Sequence, residues 1–161
     1  MVHTANQTIE NVGEYPRPPL LERVSYSIRI VLGGVEIVNT TDAWRVLETF
    51  HPPTYYIPQA AFLAGTIEKA EGRSLCEWKG QAHYFTLSAG GKIADRCAWG
   101  YPKPTPQFAP IAGYLALYCA AMDACFVDGE QAKPQSGGFY GGWVNSWITC
   151  PIKGAAGTNH W

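Results

Sequence analysis

The sequence predicts a mainly β fold: a β-rich α+β chain of antiparallel hairpins, barrel-like or two-sheet, with one or two short helices. Three observations point there. Residues 25–39 alternate apolar and polar around Gly33-Gly34, the pattern of two half-buried strands joined by a tight turn. A second such pattern surrounds Ala89-Gly90-Gly91 over residues 82–99. Seventeen Gly and twelve Pro in 161 residues imply many turns and few long helices.

At this length one domain is expected. Residues 1–24 are polar, then rich in proline (Pro16, Pro18, Pro19), and read as an extended amino-terminal arm. In the first hairpin, pairing Leu32 with Val35 sets Ile30 against Ile37. Residues 41–49 carry Trp44, Val46 and Leu47 and suit a strand or a short helix: Thr40, Thr41 and Asp42 are good caps, whereas Val46 and Thr49 favour β. His51-Pro52-Pro53 ends that element, because residues before proline avoid the helical region. Tyr55-Tyr56-Ile57 is a short β segment, and Pro58 opens a short helix through Leu63.

In the second hairpin a three-residue loop is expected, since it puts Phe85 and Leu87 on one face with Ile93, Cys97 and Trp99. A two-residue loop scrambles that face. Pro102, Pro104 and Pro106 mark a rigid loop, residues 113–119 are strand-like and 120–126 more helical. Residues 130–161 form a Gly/aromatic carboxy-terminal extension, with a last strand over 144–149.

Twelve basic and thirteen acidic residues give a net charge of −1, without a basic run. That balance argues against nucleic acid and anionic membranes as partners. No apolar stretch reaches the roughly 18 residues of a membrane span, and the first residues lack a signal peptide's basic and apolar regions. Five cysteines, an odd number, suit free thiols in a reducing compartment, so a cytoplasmic location is expected.

Several segments resemble one family. They are Arg17-Pro18 with Glu22; Arg45-Val46-Leu47-Glu48-Thr49 running into His51-Pro52-Pro53 and Tyr55-Tyr56; Cys76-Glu77-Trp78-Lys79-Gly80; Ala98-Trp99 with Tyr101-Pro102; and Gly113-Tyr114 through Asp123 to Asp128-Gly129. Over residues 17–130 the chain resembles domain-of-unknown-function family 427, labelled nucleotidyltransferase-like in some catalogues. Glu77 departs from the apolar or proline residue expected there. The resemblance implies a compact mixed-β fold and carries over no activity, so the residues must be asked directly.

Nucleotidyl transfer wants paired metal-binding carboxylates and a phosphate-cradling glycine loop. The chain has no D-x-D and no P-loop string, and the two Gly-Gly pairs are accounted for as hairpin turns. Zinc-type spacing is missing too: Cys119 and Cys125 stand apart from any close partner, so neither a metal nor a cofactor is expected. A cysteine nucleophile would need Cys76 or Cys97 beside His51 or His83, against the alternative of inert buried thiols.

The remaining constellation suits a small-molecule pocket. His51, Lys79 and Glu48 are the candidate catalytic groups, with acid–base work centred on His51. Arg45, Tyr55, Tyr56, Cys76, Trp78, Trp99 and Tyr101 are the candidate ligand-binding residues. All lie at strand ends or in adjoining loops, where function is commonly presented. Lys79 and His51 would make the pocket electropositive, suited to an anionic or carboxylate ligand. The plain alternative is an aromatic core with Arg45–Glu48 and Lys79–Glu77 as solvated ion pairs. At the level of function, the alternative is a non-catalytic interaction protein whose arm and tail pair with a partner or make a homodimer.

Overall fold

A computed structural model describes residues 9–76, 78–135 and 141–149. The chain opens with β1 (Glu10–Asn11) and a 3-10 turn (Val12–Glu14), then β2 (Leu20–Arg23). The first hairpin is β3 (Ile28–Leu32) and β4 (Val35–Thr40), and a second is β5 (Trp44–Glu48) and β6 (His51–Tyr56). After a 3-10 turn (Gln59–Ala61) comes a meander of β7 (Ile67–Cys76), β8 (Gly80–Ala89) and β9 (Lys92–Gly100). A 3-10 segment (Pro106–Ile111) leads to β10 (Leu115–Leu117), a further 3-10 turn (Cys119–Ala121) and β11 (Ala124–Val127). Four two-residue strands follow: β12 (Glu130–Gln131), β13 (Lys133–Pro134), β14 (Trp143–Val144) and β15 (Ile148–Thr149). The fold is mainly β. No helix among the described residues is long and apolar enough to cross a membrane.

Strand pairing departs from the simple alternation in instructive places. Leu32 pairs with Val35, but a bulge sets Ile30 opposite Val38 rather than Ile37. The extra residue lets Ile37 and Val38 both turn inward, each 1% exposed. The second hairpin uses a two-residue loop, with Ala89 opposite Lys92, not the three-residue loop expected. Gly90 and Gly91 have φ of 58° and 80°, which suits the primed turn a two-residue hairpin favours. The lost alternation is repaired by an irregularity between Phe85 and Leu87, where Arg96 takes φ of 51°. Trp99 therefore pairs with Tyr84, away from the Phe85 and Leu87 face, and Ile93 is exposed.

Two other segments differ from expectation, and residues 41–49 take one of the two alternatives given for them. Residues 41–49 form a strand, because β5 has a partner on each side, β2 and β6. Residues 120–126 are helical only in the 3-10 turn that ends at Ala121: Ala124 to Val127 pair with β3, burying Cys125 and Val127 against Ile28 and Ile30. A distant partner outweighs local alanine propensity. The last strand is split into β14 and β15, with Trp143 and Trp147 both buried. The arm is tied down, since β1 pairs in parallel with β15 and β2 antiparallel with β5; residues 1–8 lie outside the described residues.

β12-β11-β3-β4 make one sheet, β10-β9-β8-β7 a second and β2-β5-β6 a third. The last two meet through a bridge between Ile57 and Leu115, whose N–H groups each donate to the other's carbonyl at 2.9 and 2.8 Å. This joined layer runs from β2 to β7 without closing into a barrel. One face packs on the first hairpin through Ile28, Ile30, Leu32, Tyr55, Ile57, Leu115 and Leu117. The other carries a smaller cluster of Val46, Tyr56, Ala82, Tyr101, Phe108, Ile111 and Ala116. Full burial of each large aliphatic side chain is worth roughly 1.5–3 kcal/mol, so both faces are stabilised.

Candidate functional site

The smaller cluster surrounds a cavity of about 380 Å³. Two hairpin ends supply its polar groups. At the β5–β6 end Glu48 sits opposite His51 across a tight connection in which Phe50 adopts φ of 68°. At the β7–β8 end Cys76 pairs with Gly80, and Trp78 and Lys79 lie in the turn between them. Thr105 in the proline-rich loop fixes that turn: its N–H donates to the Lys79 carbonyl at 3.1 Å and its hydroxyl to the Trp78 carbonyl.

Of the sequence candidates, Glu48, His51, Tyr56, Cys76, Trp78, Lys79, Trp99 and Tyr101 all line this cavity. Lys79 is 9% exposed, and its Nζ lies 5.9 Å from the Tyr101 ring centroid and 5.7 Å from that of Phe108. It makes no ion pair among the described residues; Glu77 lies outside them. The Trp99 ring stacks at a tilt on Tyr118, centroids 4.7 Å apart, and Tyr56 stands 6.3 Å from Tyr101. Burial holds the Tyr56 hydroxyl well above its ordinary pKa, offset in part by hydrogen bonding to Trp99; burial followed by Tyr56 does the same for Tyr101. The rings therefore stay neutral donors and acceptors at any physiological pH.

Two candidates are elsewhere. Arg45 and Tyr55 are cross-strand partners whose side chains take the opposite face from Val46 and Tyr56. Strand alternation separates them from the cavity. Arg45 is 6% exposed and makes two hydrogen bonds to Glu10, with its Nε donating to Glu22 at 2.7 Å. It does not pair with Glu48, which lies on the other face. The Tyr55 hydroxyl meets that of Tyr26 at 3.0 Å in the main core.

Of the alternative nucleophile pairings, Cys97 with His83 is taken apart, whereas Cys76 and His51 line the same cavity. His83 pairs with Gly100, not with the region of Cys97. Cys97 is buried in the main core, and burial pushes its thiol up to about 11. Cys76, Cys97, Cys119 and Cys125 are free thiols. No group of three or more His, Cys, Asp or Glu placed to hold a metal ion is found among the described residues. The chain's D-x-E triplet, Asp128-Gly129-Glu130, is the turn between β11 and β12, with φ of 52° at Asp128 and 82° at Gly129. Its Glu130 accepts from the Ser146 hydroxyl and N–H.

Tyr84, Tyr118 and Gln135 also line the cavity and are not singled out by the sequence. Tyr84 is legible once Trp99 is set opposite it. Gln135 has no such signal, lying near the start of the Gly/aromatic extension. Its side chain is 3% exposed, and its Nε2 lies 3.2 Å from Nδ1 of His51.

An open, two-faced β layer with an aromatic cavity on one side defines the class of protein. The sequence profile of the domain-of-unknown-function family DUF427 matches residues 20–128, and the chain belongs to that family. No curated protein matches it.

Proposed function

We propose that the cavity binds a small organic anion with a flat apolar body, and that the chain is a small-molecule-binding protein of the cytosol. One observation carries this reading: the buried Lys79 ammonium, set over two aromatic rings and without an ionic partner among the described residues. An ammonium withdrawn from water is costly unless an anion compensates it. A bound carboxylate would supply that charge, and Trp78 and Trp99 offer flat surfaces for the rest of the ligand. A concave site supports a ligand over a broad protein partner, which would want a flat patch. The four free thiols support a reducing compartment.

Tryptophan fluorescence tests it, since Trp78 and Trp99 line the cavity. Benzoate should quench or shift the emission and bind about tenfold more tightly than benzamide, the roughly 1.4 kcal/mol scale of a charge-assisted contact. Lys79→Met should abolish that preference. Native mass spectrometry of the purified chain should find an anion retained by the wild type and lost from Lys79→Met. Equal response to benzoate and benzamide, with no retained anion, defeats the proposal.

A further inference from the structure

We infer that Gln135 is a positioning residue that fixes the tautomer of His51, making the neutral imidazole a hydrogen-bond donor and not a general base. The Gly142 N–H lies 3.2 Å from Oε1 of Gln135, and the Gln135 N–H donates to the Gly142 carbonyl at 3.0 Å. A backbone N–H can only donate, so the atom facing it must be the amide oxygen. The other end of the amide is then an NH₂ group, which lies 3.2 Å from Nδ1 of His51. Two donors cannot share that contact. Nδ1 must accept, and the single proton of the neutral ring sits on Nε2.

The arrangement is buried, with Gln135 only 3% exposed. Turning the amide over would set its NH₂ against the Gly142 N–H and its oxygen against Nδ1. The ring could follow by moving its proton to Nδ1, but the Gly142 N–H would face a second donor, a buried mismatch at a cost of the unmade-bond kind. The amide is therefore held one way round by the backbone, and it imposes that order on the imidazole. The same logic governs histidines oriented by a neighbour at one ring nitrogen.

The chemical consequence concerns the role expected of His51. A general base needs a lone pair facing the proton it removes. In neutral His51 one nitrogen's lone pair is engaged by Gln135 and the other nitrogen carries the proton. The ring can give a hydrogen bond but has no lone pair to offer a substrate. A ligand in the cavity therefore meets no acceptor at the neutral His51 ring, which suits ligands rich in acceptors. That consequence rests on the cavity being a ligand site; the tautomer assignment does not.

Nitrogen NMR of histidine-labelled protein without ligand tests the assignment. At a pH where His51 is neutral, its Nδ1 should show the shift of an unprotonated ring nitrogen and its Nε2 that of a protonated one. In Gln135→Glu the carboxylate can still accept the Gly142 N–H, yet it presents an acceptor to the ring. The Nδ1 of His51 should then become protonated, while circular dichroism and denaturation confirm that the variant is folded. A protonated Nδ1 in the neutral wild-type ring, or a Gln135→Glu ring whose nitrogens keep the wild-type pattern, overturns the inference. Either result leaves the benzoate and Lys79→Met comparison intact, so the two readings fail separately.

Discussion

Arg45 and Glu10 meet in a two-pronged ion pair, Nη1 to Oε1 at 3.0 Å and Nη2 to Oε2 at 2.9 Å. It locks the strand β1 onto the middle of β5. The Tyr15 hydroxyl donates to the same Glu10 carboxylate, and the Arg45 guanidinium lies 6.0 Å from the Trp147 ring centroid. Both ends of the described chain are thus held by one buried cation. Arg45→Ala removes it and strands the carboxylates of Glu10 and Glu22. The expected loss is about 3 kcal/mol in urea denaturation, near the lower end for breaking a buried pair, since Glu22 is partly exposed. Benzoate binding should be unchanged while the variant is folded. A variant that keeps its stability but loses benzoate would return Arg45 to the ligand site.

The two hairpin tips touch at glycine. A Cβ on Gly33 would fall 2.0 Å from the Ala89 carbonyl oxygen, and one on Gly90 would fall 1.9 Å from that of Gly33. Asp123 clamps the same region, accepting from the Gly34 N–H at 2.7 Å and from Lys92 Nζ at 3.0 Å. Gly34 has φ of 75° but open space around it. Gly34→Ala should therefore cost only the backbone penalty, about 1 kcal/mol. Gly33→Ala and Gly90→Ala should each cost clearly more, about 3 kcal/mol or above, because carbonyl groups must move apart. Three equal losses in thermal denaturation would mean that the tips do not pack together.

These tips also show what was legible in the chain. Gly-Gly between alternating residues announced both hairpins, because turn chemistry is local. Bulges were not legible: the register at Ile37 and at Arg96 depends on which side chains the opposite layer can accommodate. Residues 124–127 are strand for the same reason, as β11 exists only through its pairing with β3. At the site, the aromatic and charged residues at strand ends were visible as a group. The face each one takes was not, which is why Arg45 and Tyr55 went with their neighbours. Gln135 carried no sequence signal, since a buried amide is recognised only by what it contacts.

Alkaline pH should destabilise the fold. Burial is the first cause of the raised pKa at Tyr55, Tyr56 and Tyr101, and it pushes Cys97 from 9.0 up to about 11. Each is neutral in the folded state well past the pH at which the unfolded chain ionises. The stability they contribute is complete below the unfolded values of 9.0 for the thiol and 10.0 for the phenols. It is lost as pH rises from there toward the folded values, since the unfolded chain releases protons first. Urea midpoints should be flat up to about pH 8 and fall progressively above pH 9. Tyrosinate absorbance in the folded protein should lag that of the denatured protein. Coincident titrations would contradict the burial of these rings.

Site and scaffold residues differ in the sign of their effect on stability. A group selected for folding loses stability when replaced, whereas a charge held ready for a ligand is strained in its absence. Lys79 is the clearest case, because its ammonium is buried over Tyr101 and Phe108 without a described counter-ion. Lys79→Met keeps the apolar stem and removes the charge. It should leave the urea midpoint unchanged or raise it, with any change under about 1 kcal/mol. The same substitution should weaken benzoate binding at least tenfold in the tryptophan titration. Adding saturating benzoate should then raise the melting temperature of the wild type and not of Lys79→Met, by mass action on the folded state. If Lys79→Met instead destabilises by 2 kcal/mol or more on the scale of a core substitution, Lys79 belongs to the packing of the Pro106–Ile111 segment. The cavity would then be a gap beside a structural lysine, and the aromatic residues around it would be core.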